Sequence, residues 1–215
     1  MNDEKFYAGL DIGSVSIKAA IMQDGRITAS GLIPSGGNYR NGAASVMDDT
    51  LSRAGITFDH LSGLVVTGLG ADSSPYPARQ VSDISCHARG CRFTFPSAKT
   101  VIDIGGQFTR AAKMTPEGRI TDFLMSEKCA TGSGRFIQVI SRILQVPLDE
   151  IGPLSLQSEN PVEFSTNCAV FAESEIISLI AGGEKRENII AGIHESICAR
   201  VLAMANRVGI SPPIM

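Results

Sequence analysis

Short apolar runs broken by turn residues open the chain. Phe6 to Leu10 leads into Asp11-Ile12-Gly13-Ser14, Ser16 to Met22 stops at Asp24-Gly25, and Arg26 to Ile33 stops at Pro34. Runs of this length with tight turns between them predict three strands in an antiparallel meander. Asn41 to Ala54 has helical spacing and ends at Gly55. Leu64 to Thr67 predicts a fourth strand ending at Gly68-Leu69-Gly70, Asp72 to Pro77 a loop, and Val81 to Arg89 a helix.

The pattern then restarts. Thr100 to Ile104 predicts a strand ending in Asp103-Ile104-Gly105-Gly106, followed by strands over Phe108 to Met114 and Arg119 to Phe123, with a turn at Pro116-Glu117-Gly118. Residues 11–22 read DIGSVSIKAAIM and residues 103–114 read DIGGQFTRAAKM, identical at six of twelve positions, with Lys18 opposite Arg110. Gly25-Arg26-Ile27 likewise matches Gly118-Arg119-Ile120 after one extra residue. A repeat of about ninety residues is too long for a solenoid. It predicts two homologous α/β subdomains, 1–97 and 98–215, with Asp11 and Asp103 on equivalent hairpins.

Helices close the second half. Gly134 to Leu144 is amphipathic, Phe171 to Ile180 is apolar and stops at Gly182-Gly183, and Glu184 to Val208 is long. Ile189, Ile193, Ile197 and Val201 step by four along one face of the last helix. Pro212-Pro213-Ile214-Met215 has the character of a lead into another strand, but no such strand is expected within these residues.

Composition narrows the class. At 43% hydrophobic and 19% charged residues, the chain has material for a real core, which excludes disorder as its description. A net charge of -3 argues against nucleic-acid binding by phosphate neutralisation, and the lack of Trp leaves no stacking platform for bases. Apolar runs fall short of the roughly 20 residues that span a bilayer, and Met1 to Lys5 is polar, so no membrane segment or leader is expected and the location is cytoplasmic. Five cysteines, an odd number, do not resemble a disulfide framework.

The hairpins carry the first candidate chemistry. Gly13 permits a tight turn that brings backbone N–H groups close to a ligand. The N–H groups of Ser14 and Val15 and the hydroxyls of Ser14 and Ser16 can hold phosphate oxygens, with Lys18 as a compact cation. Asp11 and Asp103 can hold a hydrated Mg²⁺ from opposite sides. A single Asp-Gly hairpin is ordinarily just a turn; the duplication turns the pair into a candidate nucleotide clamp.

Cysteine carries the second. Cys129, in KCATGSGRF, and Cys168, in NCAVFAESE, each precede a predicted helix, where the helix dipole favours a thiolate. Either one alone reads more readily as a small buried hydrophobe. Gly132-Ser133-Gly134 resembles a phosphate loop, or simply turns the chain sharply into its helix. Cys86 and Cys91 flank His87 without the spacing of a zinc site, and Cys198, within the long helix, is expected to be buried.

Two facing Asp turns on duplicated halves resemble the actin, hexokinase and heat-shock-chaperone ATPase superfamily. The fold implied is α/β, with duplicated actin-like (ribonuclease H-like) subdomains around an interdomain cleft. More narrowly, DIGS, DIGGQ, SCHARG, KCATGSGRF and CAVFAESE resemble the ATP-dependent activators of 2-hydroxyacyl-CoA dehydratases and the ATPase subunits of benzoyl-CoA reductase. That resemblance implies an ATP-hydrolysing homodimer with one [4Fe-4S] cluster on its two-fold axis, each subunit donating Cys129 and Cys168. The cofactors implied are ATP/ADP, Mg²⁺ and that cluster. Asp11, Asp103 and a water-orienting Gln107 would act at the phosphates; Gly13, Ser14, Val15, Ser16, Lys18, Gly105, Gly106, Gly132 and Gly134 would line the nucleotide. The partners implied are a 2-hydroxyacyl-CoA dehydratase as electron acceptor and a ferredoxin or flavodoxin as donor, in an anaerobe. Members of the family continue into a strand, a Gly-Gly turn against adenosine and a final helix, and this C-terminal strand-turn-helix is expected to be absent here. The alternatives are a sugar or small-molecule kinase of the same superfamily with structural cysteines, or a truncated inactive remnant.

Overall fold

A computed structural model of the chain describes residues 5–126, 133–164 and 169–215, with the backbone alone for residues 169–171. The repeat places its boundary at 97/98; by compactness the units are Met1–Cys86 and His87–Met215.

In the first unit, β1 (Phe6–Ile12), β2 (Ser16–Gln23) and β3 (Arg26–Pro34) form the antiparallel meander expected from the turns. Helix α1 (Tyr39–Ala54) crosses over to β4 (Leu61–Thr67), which lies parallel to β1, and a two-residue strand β5 (Arg79–Gln80) completes the order β3-β2-β1-β4-β5. The helix starts at Asn38, whose side chain accepts from the Asn41 N–H, and ends at Gly55, whose φ of 70° suits the left-handed cap. Ala8, Leu10 and Ile12 of β1 face Ile17 and Ile21 of β2 and Val46, Met47 and Leu51 of α1. Each large aliphatic side chain removed from water there contributes about 1.5–3 kcal/mol. Tyr7, Gly9 and Asp11 alternate onto the opposite face of β1.

Helix α2 (Asp83–Thr94) leads into the second unit. There β6 (Thr100–Ile104), β7 (Thr109–Met114) and β8 (Ile120–Met125) repeat the meander. At the chain end Ile214 makes an isolated parallel bridge to Thr100, with Met215 N–H donating to the Thr100 carbonyl at 3.0 Å and Ile102 N–H to the Met215 carbonyl at 2.8 Å. Residues 213–215 thus pair with the β6 backbone in parallel, as β4 pairs with β1. A stretch this short carries no periodicity to read.

Helices α3 (Gly134–Leu144), α4 (Leu148–Ser155), α5 (Ala169–Ala181) and α6 (Arg186–Val208) build the other core. Phe136, Ile140, Leu144, Ile151 and Ile176 meet Ile189, Ile193 and Ile197, the stripe read from the sequence. Helix α4 was not expected; it is a short piece with Pro153 inside it. By length and composition α6 passes for a membrane span, but 44% of that apolar window is buried in this fold. Cys198, expected to be buried, is exposed. It directly follows Ile197, which faces the core, and one helical step of about 100° carries it off that stripe.

Candidate functional site

The two hairpins are built alike. In the first, Asp11 and Lys18 are cross-strand neighbours, and Lys18 Nζ lies 2.9 Å from Asp11 Oδ2. In the second, Asp103 and Arg110 are the equivalent neighbours, with Arg110 Nη1 2.8 Å from Asp103 Oδ2. Each turn closes the same way: Gly13 N–H donates to the Ser16 carbonyl at 3.1 Å, and Gly105 N–H to the Phe108 carbonyl at 2.9 Å. A Cβ on Gly13 would stand 2.8 Å from that carbonyl oxygen, so glycine is required by close approach.

Beyond each closing bond lie two further backbone amides. Among the described residues the N–H groups of Ser14 and Val15, and of Gly106 and Gln107, have no backbone acceptor. Paired amides aimed out of a turn form a nest for an oxyanion. Val15 and Gln107 are exposed at the tips, while Ser14 and Ser16 are half-buried. Residues expected to hold phosphate thus come together within each hairpin.

The turns are braced differently. Ser35 Oγ donates to the Gly13 carbonyl at 2.6 Å, and Gly70 N–H to the Ile12 carbonyl at 2.8 Å, so the first turn is held by its own sheet. The second rests on the start of α3, where Gly134 N–H donates to the Gly105 carbonyl at 3.0 Å and Arg135 N–H to the Gly106 carbonyl at 2.9 Å. The first amides of that helix are therefore engaged by the hairpin. This favours the structural reading of Gly134 over a phosphate loop. Gly132, Cys129 and Cys168 lie outside the described residues.

His87 was not singled out as a site residue, yet its Nδ1 lies 3.2 Å from Asp103 Oδ2. Burial pushes the Asp103 carboxyl up, but His87 and then Arg110 outweigh it and hold it below the usual 3.8. An ionised carboxylate at this turn suits a hydrated cation. Burial pushes the neighbouring Cys86 thiol up; a hydrogen bond with the Thr67 side chain opposes this, and the Asp11 and Asp83 carboxylates add to the rise. Burial and the Asp103 charge likewise raise Cys91. Neither thiol is disposed to be a thiolate, and no metal-binding group of three or more His, Cys, Asp or Glu occurs among the described residues. The signal for His87 was the motif SCHARG one element before the second hairpin; its partner could be found only from the fold.

Comparison with known proteins places the geometry. Residues 8–215 match the BadF/BadG/BcrA/BcrD ATPase family. The chain is 40% identical over 205 residues to a 2-hydroxyisocaproyl-CoA dehydratase activator of Clostridioides difficile, covering 95% of this chain and 77% of that one. It is 39% identical to the (R)-2-hydroxyglutaryl-CoA dehydratase activating ATPase of Acidaminococcus fermentans, covering 95% of this chain and 79% of that one. Among solved structures, the component A of the Acidaminococcus fermentans (R)-2-hydroxyglutaryl-CoA dehydratase superposes with a TM-score of 0.91 at 37% identity, over 98% of this chain and 81% of that one. The Clostridium difficile activator with bound ADPNP superposes with a TM-score of 0.89 at 40% identity, over 97% of this chain and 78% of that one.

Proposed function

Because the chain belongs to the BadF/BadG/BcrA/BcrD ATPase family, we propose that it hydrolyses ATP to drive low-potential one-electron transfer to a 2-hydroxyacyl-CoA dehydratase. The relatives' role as dehydratase activators supports this reading, as does the ADPNP bound to one of them. The working unit is a homodimer in an anaerobe's cytoplasm, reduced by a ferredoxin or flavodoxin. Cys129 and Cys168 of each subunit would supply the four thiolates of one [4Fe-4S] cluster, since a two-fold axis doubles a pair of ligands. When bound, that cluster carries the electron.

In the hairpins, the amides of Ser14, Val15, Gly106 and Gln107 receive phosphate oxygens, and Lys18 answers their charge. Asp11 and Asp103 would hold Mg²⁺, which neutralises charge on the phosphates. Gln107, exposed at its tip, orients the attacking water.

The observation that carries the coupling is the pair of bonds from Gly134 and Arg135 to the second hairpin. A turn that shifts when its phosphate leaves pulls on the first turn of α3. The residue five positions before Gly134 is Cys129. Hydrolysis thereby biases an element with two arrangements.

The test is iron content and visible absorption of anaerobically purified protein. The expected result is a brown protein with four irons per dimer, lost in Cys129→Ser and in Cys168→Ser and retained in Cys86→Ala. A colourless, iron-free protein after reconstitution would refute the reading.

A further inference from the structure

The second aspartate is restrained from two elements. Arg110 Nη1, on β7, and His87 Nδ1, on α2, meet the same carboxylate oxygen of Asp103, Oδ2, at 2.8 Å and 3.2 Å. Among the described residues Asp103 Oδ1 accepts no hydrogen bond. Asp11, the counterpart in the repeat, takes a side-chain donor only from Lys18 among the described residues.

Helix placement brings His87 there. It precedes Ala88, which is fully buried, and stands one turn before Cys91, whose thiol also feels the Asp103 charge. Residues four apart share a helix face, so this face of α2 lies along the carboxylate. An ionised carboxylate can only accept, so the contact uses a proton on His87 Nδ1. The carboxylate in turn lies against the hairpin: a Cβ on Gly105 would stand 4.0 Å from each of its oxygens, and the Gly106 and Gln107 amides follow directly. The χ2 of an aspartate is a broad torsion, so a carboxylate held by one donor can swing. A second donor from a different element closes that freedom.

We propose that His87 is a positioning residue for Asp103: with Arg110 it pins Oδ2 and so keeps Oδ1 in one orientation for a hydrated Mg²⁺ bound with the nucleotide. The inference rests on the nucleotide reading above and adds to it a residue outside the repeated motif. His87 acts through the carboxylate and touches neither nucleotide nor ion. Partners that orient a metal-holding group typically change metal affinity by about 10–100-fold when removed.

The test separates positioning from plain support of the fold. ADP binding to the full chain is titrated calorimetrically with and without Mg²⁺ in wild type, His87→Ala and His87→Asn, with melting temperatures measured alongside. His87→Ala is expected to weaken binding by about tenfold in Mg²⁺ and by less than about twofold without it. His87→Asn, whose amide N–H can stand near the place of Nδ1, should bind within about threefold of wild type. In an Asp103→Asn chain the further change His87→Ala should move ADP affinity by less than about twofold, because the group it acts through is gone. Where His87→Ala does not fold, His87→Phe keeps a ring, removes the donor and carries the same expectations. Unchanged binding, a loss equal with and without Mg²⁺, a loss that persists in the Asp103→Asn chain, or a His87→Asn no better than His87→Ala would each overturn the proposal. A wild-type chain that binds no ADP, or binds it indifferently to Mg²⁺, would refute the nucleotide reading and this proposal with it, a result distinguishable from failure of the variants alone.

Discussion

The two aspartate hairpins share a sequence pattern and a turn but differ in what holds them. Asp11 pairs with a lysine, and the two side chains are 28% and 42% exposed. Asp103 pairs with an arginine, at 17% and 10% exposed, and takes a second contact from His87. The Arg110 guanidinium also lies over the Phe108 ring, 5.4 Å from its centre. Lysine is a mobile point charge able to move to a phosphate; a buried, stacked arginine is a fixed strut. The duplication thus kept the carboxylate and changed its setting: a solvated ion pair in the first hairpin, a mostly buried one in the second.

The largest expected effect touches what the hairpins share. Asp11→Asn and Asp103→Asn should each lower MgATP turnover by a hundredfold or more, about 3 kcal/mol of transition-state stabilisation, with the fold retained. Equal turnover in either variant, measured by phosphate release, would remove that aspartate from the clamp.

Next comes the contrast itself. Arg110→Met strands a mostly buried carboxylate and should destabilise the protein by about 3 kcal/mol in urea unfolding. Lys18→Met should cost less than about 1 kcal/mol, because its pair is solvated, while weakening ADP binding. Equal stability losses would erase the distinction between strut and mobile charge.

Smaller effects sharpen it. Removing the Ser35 hydroxyl that braces Gly13 should cost about 1 kcal/mol. The Asp103 carboxyl sits below 3.8 in the folded state, so its pairing stabilises the protein above that pH and is lost as pH falls through the lowered value. Melting followed from pH 5 downward should show this loss in the wild type and less of it in Asp103→Asn. Cys198→Ser should leave stability within about 0.5 kcal/mol, since the residue is exposed.

The strands and hairpins were legible because turn residues and short apolar runs mark them locally, and the repeat of DIG and AA made the two turns visible as a pair. The stripe of Ile189, Ile193 and Ile197 was legible for the same reason of period. Cys198 was misjudged because its apolar neighbours mark a helix, while the face each residue takes depends on what packs against it. His87 and the docking of Gly134 on Gly105 were hidden for another reason. Each joins residues far apart in the chain, and only sheet register or helix placement brings them together. A histidine in isolation carries no sign of such a partner.

Under the proposed function, ATP hydrolysis, and not nucleotide binding alone, sends the electron onward. The most direct measurement mixes the anaerobically reduced protein with inactive 2-hydroxyisocaproyl-CoA dehydratase and follows dehydration of the acyl-CoA substrate. Activity is predicted to appear with MgATP and to stay absent with MgADP or a non-hydrolysable ATP analogue. Equal activation by all three, or without nucleotide, would contradict the account.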